Sequence, residues 1–272
     1  MTAIMGIVNV TPDSFSDGGC YLSADDAIAR GRELRAAGAH ILDVGGESTR
    51  PGAARVEPAE EQARVLPVIA ALAADGAVVS IDTMNAATAH AAVELGARIV
   101  NDVSGGLNDP DMLGVVAASG ADVVLQHWRG HSADMYAHAV YDDLVPELVA
   151  ELEARLAAAA RAGISPDRVI LDPGIGFGKR GAQNWQALRG LDRVVAIGPR
   201  VLVGTSRKRF LAEALAAASD DEISTARRDA ATALTSVLAA QAGAWAVRVH
   251  DAAATRDALA VWTHWQGEGE HV

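Results

Sequence analysis

A (β/α)8 barrel is the fold class that this sequence predicts, and three observations predict it. Short apolar runs rich in Val, Ile and Leu alternate with helical stretches from one end of the chain to the other. The runs are near-continuous, as a parallel sheet buried on both faces requires. Eight strand–helix units in about 250 residues is the arithmetic of the closed barrel, and the chain has 272 residues. No linker or shift of composition divides it, so residues 1–272 read as one domain. A doubly wound open sheet is the alternative. The barrel makes the sharper claim: the polar residues that end each strand converge on one mouth.

Ala3 to Val8 is the first strand. It breaks into Asn9-Val10-Thr11-Pro12-Asp13-Ser14-Phe15-Ser16-Asp17-Gly18-Gly19, a loop whose Pro, Asp, Ser and Gly suit turns and whose Phe15 a turn does not need. Ser23 caps a helix through Ala37, with Asp25 and Asp26 in its first turn, and Gly38 ends it. Ile41 to Val44 is the second strand, followed by the polar loop Gly45 to Gly52. Glu57 to Ala74 is helical, with Pro58 in the first turn; Pro67 should kink or break it. Val78 to Ile81 is the third strand, ending at Asp82-Thr83.

A helix over about Asn85 to Leu95 leads to Ile99-Val100, which end at Asn101-Asp102. After a short helix, Asp111 to Ser119, the fifth strand is Val123 to Leu125, ending at Gln126-His127-Trp128. An irregular stretch precedes a long Ala-rich helix to Ala162, and Val169 to Leu171 ends at Asp172-Pro173-Gly174. Asn184 to Val195 reads as one helix, and Val201 to Val203 ends at Gly204-Thr205-Ser206-Arg207-Lys208. Helices over Arg209 to Ala217 and Thr225 to Ala242 precede Trp245 to Val249, the eighth strand, which ends at His250-Asp251. A last amphipathic helix covers about Thr255 to Gln266. The late tryptophans Trp245, Trp262 and Trp265 read as core.

The formal net charge of −12 argues against a nucleic-acid or anionic-membrane surface, so an anionic ligand must be met by a local cluster. One cysteine, Cys20, excludes an internal disulfide framework and fits a reducing compartment. With no leader and no bilayer-spanning run, the expected location is the cytoplasm.

Asp82, Asn101 and Asp172 all end strands, and three such groups around one mouth suit a flat, hydrogen-bonding ring. Arg207-Lys208-Arg209 is a basic run in an acidic protein; Ser206 could cap the helix that follows, at an end suited to anions. Arg248 sits inside an apolar strand, and a buried Arg needs a partner, which could be a bound anion. Gly174 to Arg180 lacks the phosphate-loop frame; its glycines suit close backbone approach to a ligand, with Phe177 available to stack. His127, His131 and His138 do not form a zinc-binding helix.

Several blocks together are similar to those of the dihydropteroate synthase family. Ile4 to Gly19 resembles its first signature and Gly38 to Gly52 its second. Asp82-Thr83-Met84, Asn101 to Gly106, Leu171-Asp172-Pro173-Gly174, Ser206-Arg207-Lys208 and Arg248-Val249-His250-Asp251 resemble its other blocks, in order. The resemblance implies a (β/α)8 barrel, a homodimer, and a Mg2+-dependent transferase of folate biosynthesis. Such an enzyme joins 6-hydroxymethyl-7,8-dihydropterin diphosphate to 4-aminobenzoate and releases diphosphate. It also implies roles. Asp82, Asn101, Asp172 and Lys208 would hold the pterin. Asn9 would touch the Mg2+–diphosphate, with Arg248 and His250 on the phosphates. Phe15, Thr49, Pro51 and Lys208 would border the aminobenzoate, and Asp17 and Arg50 would close over the reaction on two mobile loops.

Two positions depart from the family pattern: Gln126 stands where a Met is common, and Arg209 where a small hydroxyl residue is. Two alternatives stay open. One is a pterin-binding paralogue without turnover, which Gln126 keeps in play. The other is a methyltetrahydrofolate-dependent methyltransferase module, which would not need Asn9, Arg248 and His250 as a diphosphate set.

Overall fold

A computed structural model describes residues 2–11, 23–48, 55–131 and 135–267. Its strands are β1 (Ala3–Asn9), β2 (Ile41–Gly45), β3 (Val78–Asp82), β4 (Ile99–Asp102), β5 (Asp122–Gln126), β6 (Val169–Asp172), β7 (Arg200–Val203) and β8 (Ala246–Val249). They pair in parallel in sequence order, and β8 returns to β1 to close the barrel. The open-sheet alternative is thereby excluded.

Because side chains alternate across a strand, each strand serves two environments. One set, including Leu42, Val44, Val79, Ile81, Val123, Leu125 and Val247, packs in the core that the helices cover. The other set fills the barrel: Met5, Ile41, Ile99, Val124, Ile170, Leu202 and Ala246 form a separate apolar cluster inside it. Two residues further along the same strands, the inward positions become Asp43, Asn101, Gln126, Asp172 and Arg248. The barrel is thus plugged by hydrocarbon at one end and lined by polar groups at the other, where the strands end.

The helices around it are α1 (Ala24–Ala36), α2 (Pro58–Ala74), α3 (Ala86–Glu94), α4 (Met112–Ser119), α5 (Leu144–Arg161), α6 (Ala182–Arg189), α7 (Leu191–Val195), α8 (Arg209–Ala218), α9 (Thr225–Gln241) and α10 (Ala252–Trp265). Ser23 caps α1 as the sequence predicts, in a reciprocal bond with Asp26. Of the kink or break expected at Pro67, no break occurs: the helix continues through it, with Val65, Val68, Ile69 and Leu72 buried. Three details differ from the sequence reading. The expected single helix from Asn184 to Val195 is two, α6 and α7, parted at Gly190, where a Cβ would come 2.7 Å from Val145. The last helix starts at Ala252, because Asp251 accepts from Ala254 N–H and caps it one turn earlier. Trp265 is not core: it is 86% exposed, at the end of α10, whose buried residues are Ala252, Thr255 and Leu259.

Gly105, after β4, has φ +63°, and a Cβ there would lie 2.6 Å from the Gln126 carbonyl. Gly105→Ala therefore combines a left-handed L-residue, about 1–2 kcal/mol, with a backbone clash. Its melting temperature should fall by at least about 2–4 °C in calorimetry, the scale of one kcal/mol for a chain of this size.

Candidate active site

The polar ends of the strands enclose a cavity of about 1020 Å³ at the barrel mouth. Asn9, Asp82, Asn101, Asp172, Phe177, Lys208, Arg248 and His250, scattered in sequence, all line it. Phe15, Asp17, Thr49, Arg50 and Pro51 lie outside the described residues. Strand register explains the grouping. Asp82 stands beside Asn101 across β3 and β4, and Gln126 beside Asp172 across β5 and β6.

The centre of the floor is Arg248. Its Nε donates to Asp43 Oδ2 at 2.5 Å and one terminal nitrogen to Asp82 Oδ2 at 2.7 Å. Asp43 Oδ2 also accepts from Asn101 Nδ2 at 3.0 Å. The partner of the strand arginine is therefore first a pair of carboxylates, and an anion would meet the guanidinium only where it opens on the cavity. Asp43 is wholly buried, and its Oδ1 has no partner among the described residues. Burial works against the charge of Arg248, but Asp43 and Asp82 outweigh it and raise its pKa. Burial also pushes Asp82 up; Arg248 pulls it back, and Asp43 pushes it further up.

A second charged pair faces the first. Asp172 ends β6 with Oδ1 accepting from Gly174 N–H at 2.6 Å. Burial raises its pKa, and Lys208 lowers it. Burial takes the Lys208 ammonium down to about 8, against the pull of Asp172. Lys208 Nζ bonds the Ile175 carbonyl and lies 4.8 Å from the centre of the Phe177 ring.

The basic run does not act as a unit. Arg207, at φ +56°, binds Asp229 of α9 at two points, 2.7 and 2.8 Å. Lys208 is the helix cap position and turns inward, while Arg209 is exposed and pairs with Glu213 at 2.8 Å. Ser206 does not cap α8. Its hydroxyl accepts from the His250 N–H at 3.1 Å and lies 2.8 Å from His250 Nδ1. A hydroxyl donating to Nδ1 leaves the ring proton on Nε2, where the imidazole is a donor.

Gln126 is buried on the cavity wall, and its Nε2 donates to the Val103 carbonyl at 3.3 Å. The amide is satisfied by backbone. The glycines of 174–178 first meet the protein's own atoms: a Cβ on Gly174 would lie 2.4 Å from the His127 carbonyl, and one on Gly176 2.8 Å from Lys208 Cδ. Two residues escaped the sequence reading. Asp43 had a signal, a charge at an inward strand position. Lys179, buried behind the loop, had none beyond a failed phosphate-loop pattern.

Known proteins resemble the chain over nearly its whole length. A family model described as Pterin binding enzyme matches residues 5–250. A dihydropteroate synthase from Mycobacterium leprae is 50% identical over 270 residues, 99% of this chain and 95% of that protein. One from Bacillus subtilis is 42% identical over 251 residues, 92% of this chain and 84% of that one. The solved Xanthomonas albilineans dihydropteroate synthase with 4-aminobenzoic acid superposes with a TM-score of 0.89 at 45% identity, over 97% of this chain and 93% of the other. The same bacterium's enzyme in complex with 7,8-dihydropteroate gives 0.86 at 42% identity, over 97% and 94%.

Asp43→Ala would strip Arg248 Nε and Asn101 Nδ2 of their shared acceptor. Breaking a buried pair from one side costs about 3–5 kcal/mol. Urea unfolding should show a loss on that scale, whereas Glu213→Ala, which breaks the exposed pair with Arg209, should cost less than about 1 kcal/mol.

Proposed function

The chain belongs to the pterin-binding enzymes, among the dihydropteroate synthases, and from that premise we propose how its own residues join a dihydropterin diphosphate to 4-aminobenzoate. It is a transferase of folate biosynthesis, built as a (β/α)8 barrel. The observation that carries the reading is the ring of Asp82, Asn101, Asp172 and Lys208 around one cavity. These groups offer carboxylate acceptors, an amide and an ammonium at the edge of a flat ring. Asp172 faces the ring N–H groups as a two-oxygen acceptor, and Asn101, held by Asp43, presents its free oxygen.

The bond that breaks joins carbon to a diphosphate oxygen, and the new bond forms from that carbon to the aminobenzoate nitrogen. The electron pair of the broken bond leaves with diphosphate, and the amine loses a proton. The ring delocalises positive charge at the carbon, so departure can precede attack. Arg248 and His250 at the β8 end neutralise the departing charge. Phe177 and Lys208 wall the side from which the amine enters, and Lys208 borders both substrates. The resemblance assigns Asp17, Arg50, Phe15, Thr49 and Pro51, which lie outside the described residues, to the aminobenzoate side and to shielding the cation from water. An aromatic amine is a weak base, so no strong general base is required.

The donor set fits a Mg2+ ion that arrives with its substrate. Magnesium takes one or two ligands from a protein and the rest from phosphate and water. Among the described residues no three His, Cys, Asp or Glu side chains gather around a metal position. Asn9, at the end of β1, lines the cavity and would be the protein's ligand to the ion. An ion held there would neutralise charge on the departing diphosphate. Gln126 is compatible with turnover, since it lines the cavity with its Nε2 bonded to the Val103 carbonyl. The diphosphate set Asn9, Arg248 and His250 speaks against the methyltransferase module.

The active unit is a homodimer located in the cytoplasm. Neighbouring helices α9 and α10 each carry two exposed large apolar side chains one turn apart, Leu234 with Leu238 and Val261 with Trp265. A second copy covering them suits this pattern. No described helix is long and apolar enough to cross a membrane.

Diphosphate release measured with and without 4-aminobenzoate tests the reaction; release that ignores the amine would overturn it. On the alkaline side kcat/KM for the pterin substrate should fall through about pH 8, since the Lys208 ammonium is lost as pH rises through that value. The limb should be missing from the residual activity of Lys208→Met. Light scattering should give twice the chain mass, and Leu238→Glu with Trp265→Glu should return the mass of one chain.

A further inference from the structure

The segment from Gly174 to Lys179 has no helix or strand, yet each of its carbonyls accepts a hydrogen bond from a side chain. Lys179 Nζ reaches back to the Gly174 oxygen at 3.1 Å and the Phe177 oxygen at 3.2 Å. Lys208 takes Ile175. Tyr136 takes Gly176 at 3.3 Å, Tyr141 takes Gly178 at 2.8 Å, and Asn184 takes Lys179 at 3.2 Å. Irregular backbone inside a protein must find partners for its polar groups. Here they come from β6–α6 itself, from the stretch before α5, from α6, and from Lys208 at the start of α8.

Among these donors Lys179 is the one with no outlet to water. It is 1% exposed, the largest of the fully buried side chains. A lysine is almost never buried unless its ammonium is met. Besides the two loop carbonyls, its Nζ lies 3.0 Å from His127 Nδ1. His127 Nε2 in turn lies 2.9 Å from Glu151 Oε2, and Glu151 pairs with Arg129. A carboxylate beside Nε2 favours the tautomer with its proton there and leaves Nδ1 as an acceptor for the ammonium.

We propose that Lys179 is a positioning residue that acts through Phe177, holding the 174–179 loop so that this ring stands on the cavity wall against Lys208. The inference rests on the reaction given above. Phe177 itself is partly exposed, and its backbone is clipped at the Phe177 oxygen by Lys179 and on either side by Tyr136 and Tyr141. Lys179 also lines the cavity, but its ammonium is spent on three protein partners. Burial brings its pKa down to about 7, with Asp172 working the other way.

The test is a double-mutant cycle on steady-state kinetics of the full chain, with both substrates and Mg2+. Phe177→Ala identifies which Michaelis constant depends on the ring. Lys179→Met, which fills the volume without the donors, should raise the same constant by about tenfold, with kcat lowered far less. In the Phe177→Ala background the same substitution should add less than about twofold, since residues acting through one another are not additive. Equal effects in both backgrounds, or a change in the other constant alone, would overturn the inference while leaving the reaction intact. If Lys179→Met does not fold, Tyr141→Phe removes the clip on Gly178 and should move the same constant in the same direction by about two- to threefold. No change in either constant there would also overturn it. A parent protein that makes no dihydropteroate would remove the reaction itself, and this inference with it.

Discussion

A guanidinium placed inside a closed barrel has to be met by charge, and the site is arranged around that requirement. Arg248 rises from the apolar interior of β8 and is held by Asp43 from β2 and Asp82 from β3. Asp43 then holds Asn101 of β4 through the same oxygen that accepts from Arg248. Inward groups on four strands are thereby fixed relative to one another without a ligand. This is preorganisation in the physical sense: donors and acceptors are oriented before the reaction, when their reorganisation would otherwise add to the barrier.

The cost of burying these charges is visible in their proton affinities. Asp82 and Asp172 are both pushed up by burial, and each is opposed by a cation, Arg248 for one and Lys208 for the other. Lys208 is brought down toward neutrality by the same burial. Burial and a neighbouring opposite charge thus oppose each other at every one of these groups, the pattern expected where charged side chains are held out of water to meet a ligand. The loop from Gly174 to Lys179 extends the pattern to backbone. It gives up regular structure to place Phe177, and side-chain donors replace the missing ladder.

Burial of both faces of every strand is why the barrel was legible. Val, Ile and Leu runs located all eight strands, and the residue ending each run located the site. Asp82, Asn101, Asp172 and Arg248 fell on one cavity because they share the inward parity of their strands. Helix boundaries were less legible where tertiary contact decided them. A helix parts at Gly190, which packs closely on Val145, and none breaks at Pro67, whose neighbours are buried in the core.

By itself the sequence determined the barrel, its eight strand ends and the kind of ligand edge they offer, since these follow from local periodicity and residue chemistry. Only the tertiary structure decided who pairs with whom. That Arg248 meets two carboxylates, that Ser206 serves His250 and does not cap α8, and that Arg207 turns to Asp229 are facts about groups far apart in the chain. Lys179 shows the reason most plainly. Its role depends on three partners converging at one buried point, and convergence in space leaves no mark on the order of residues.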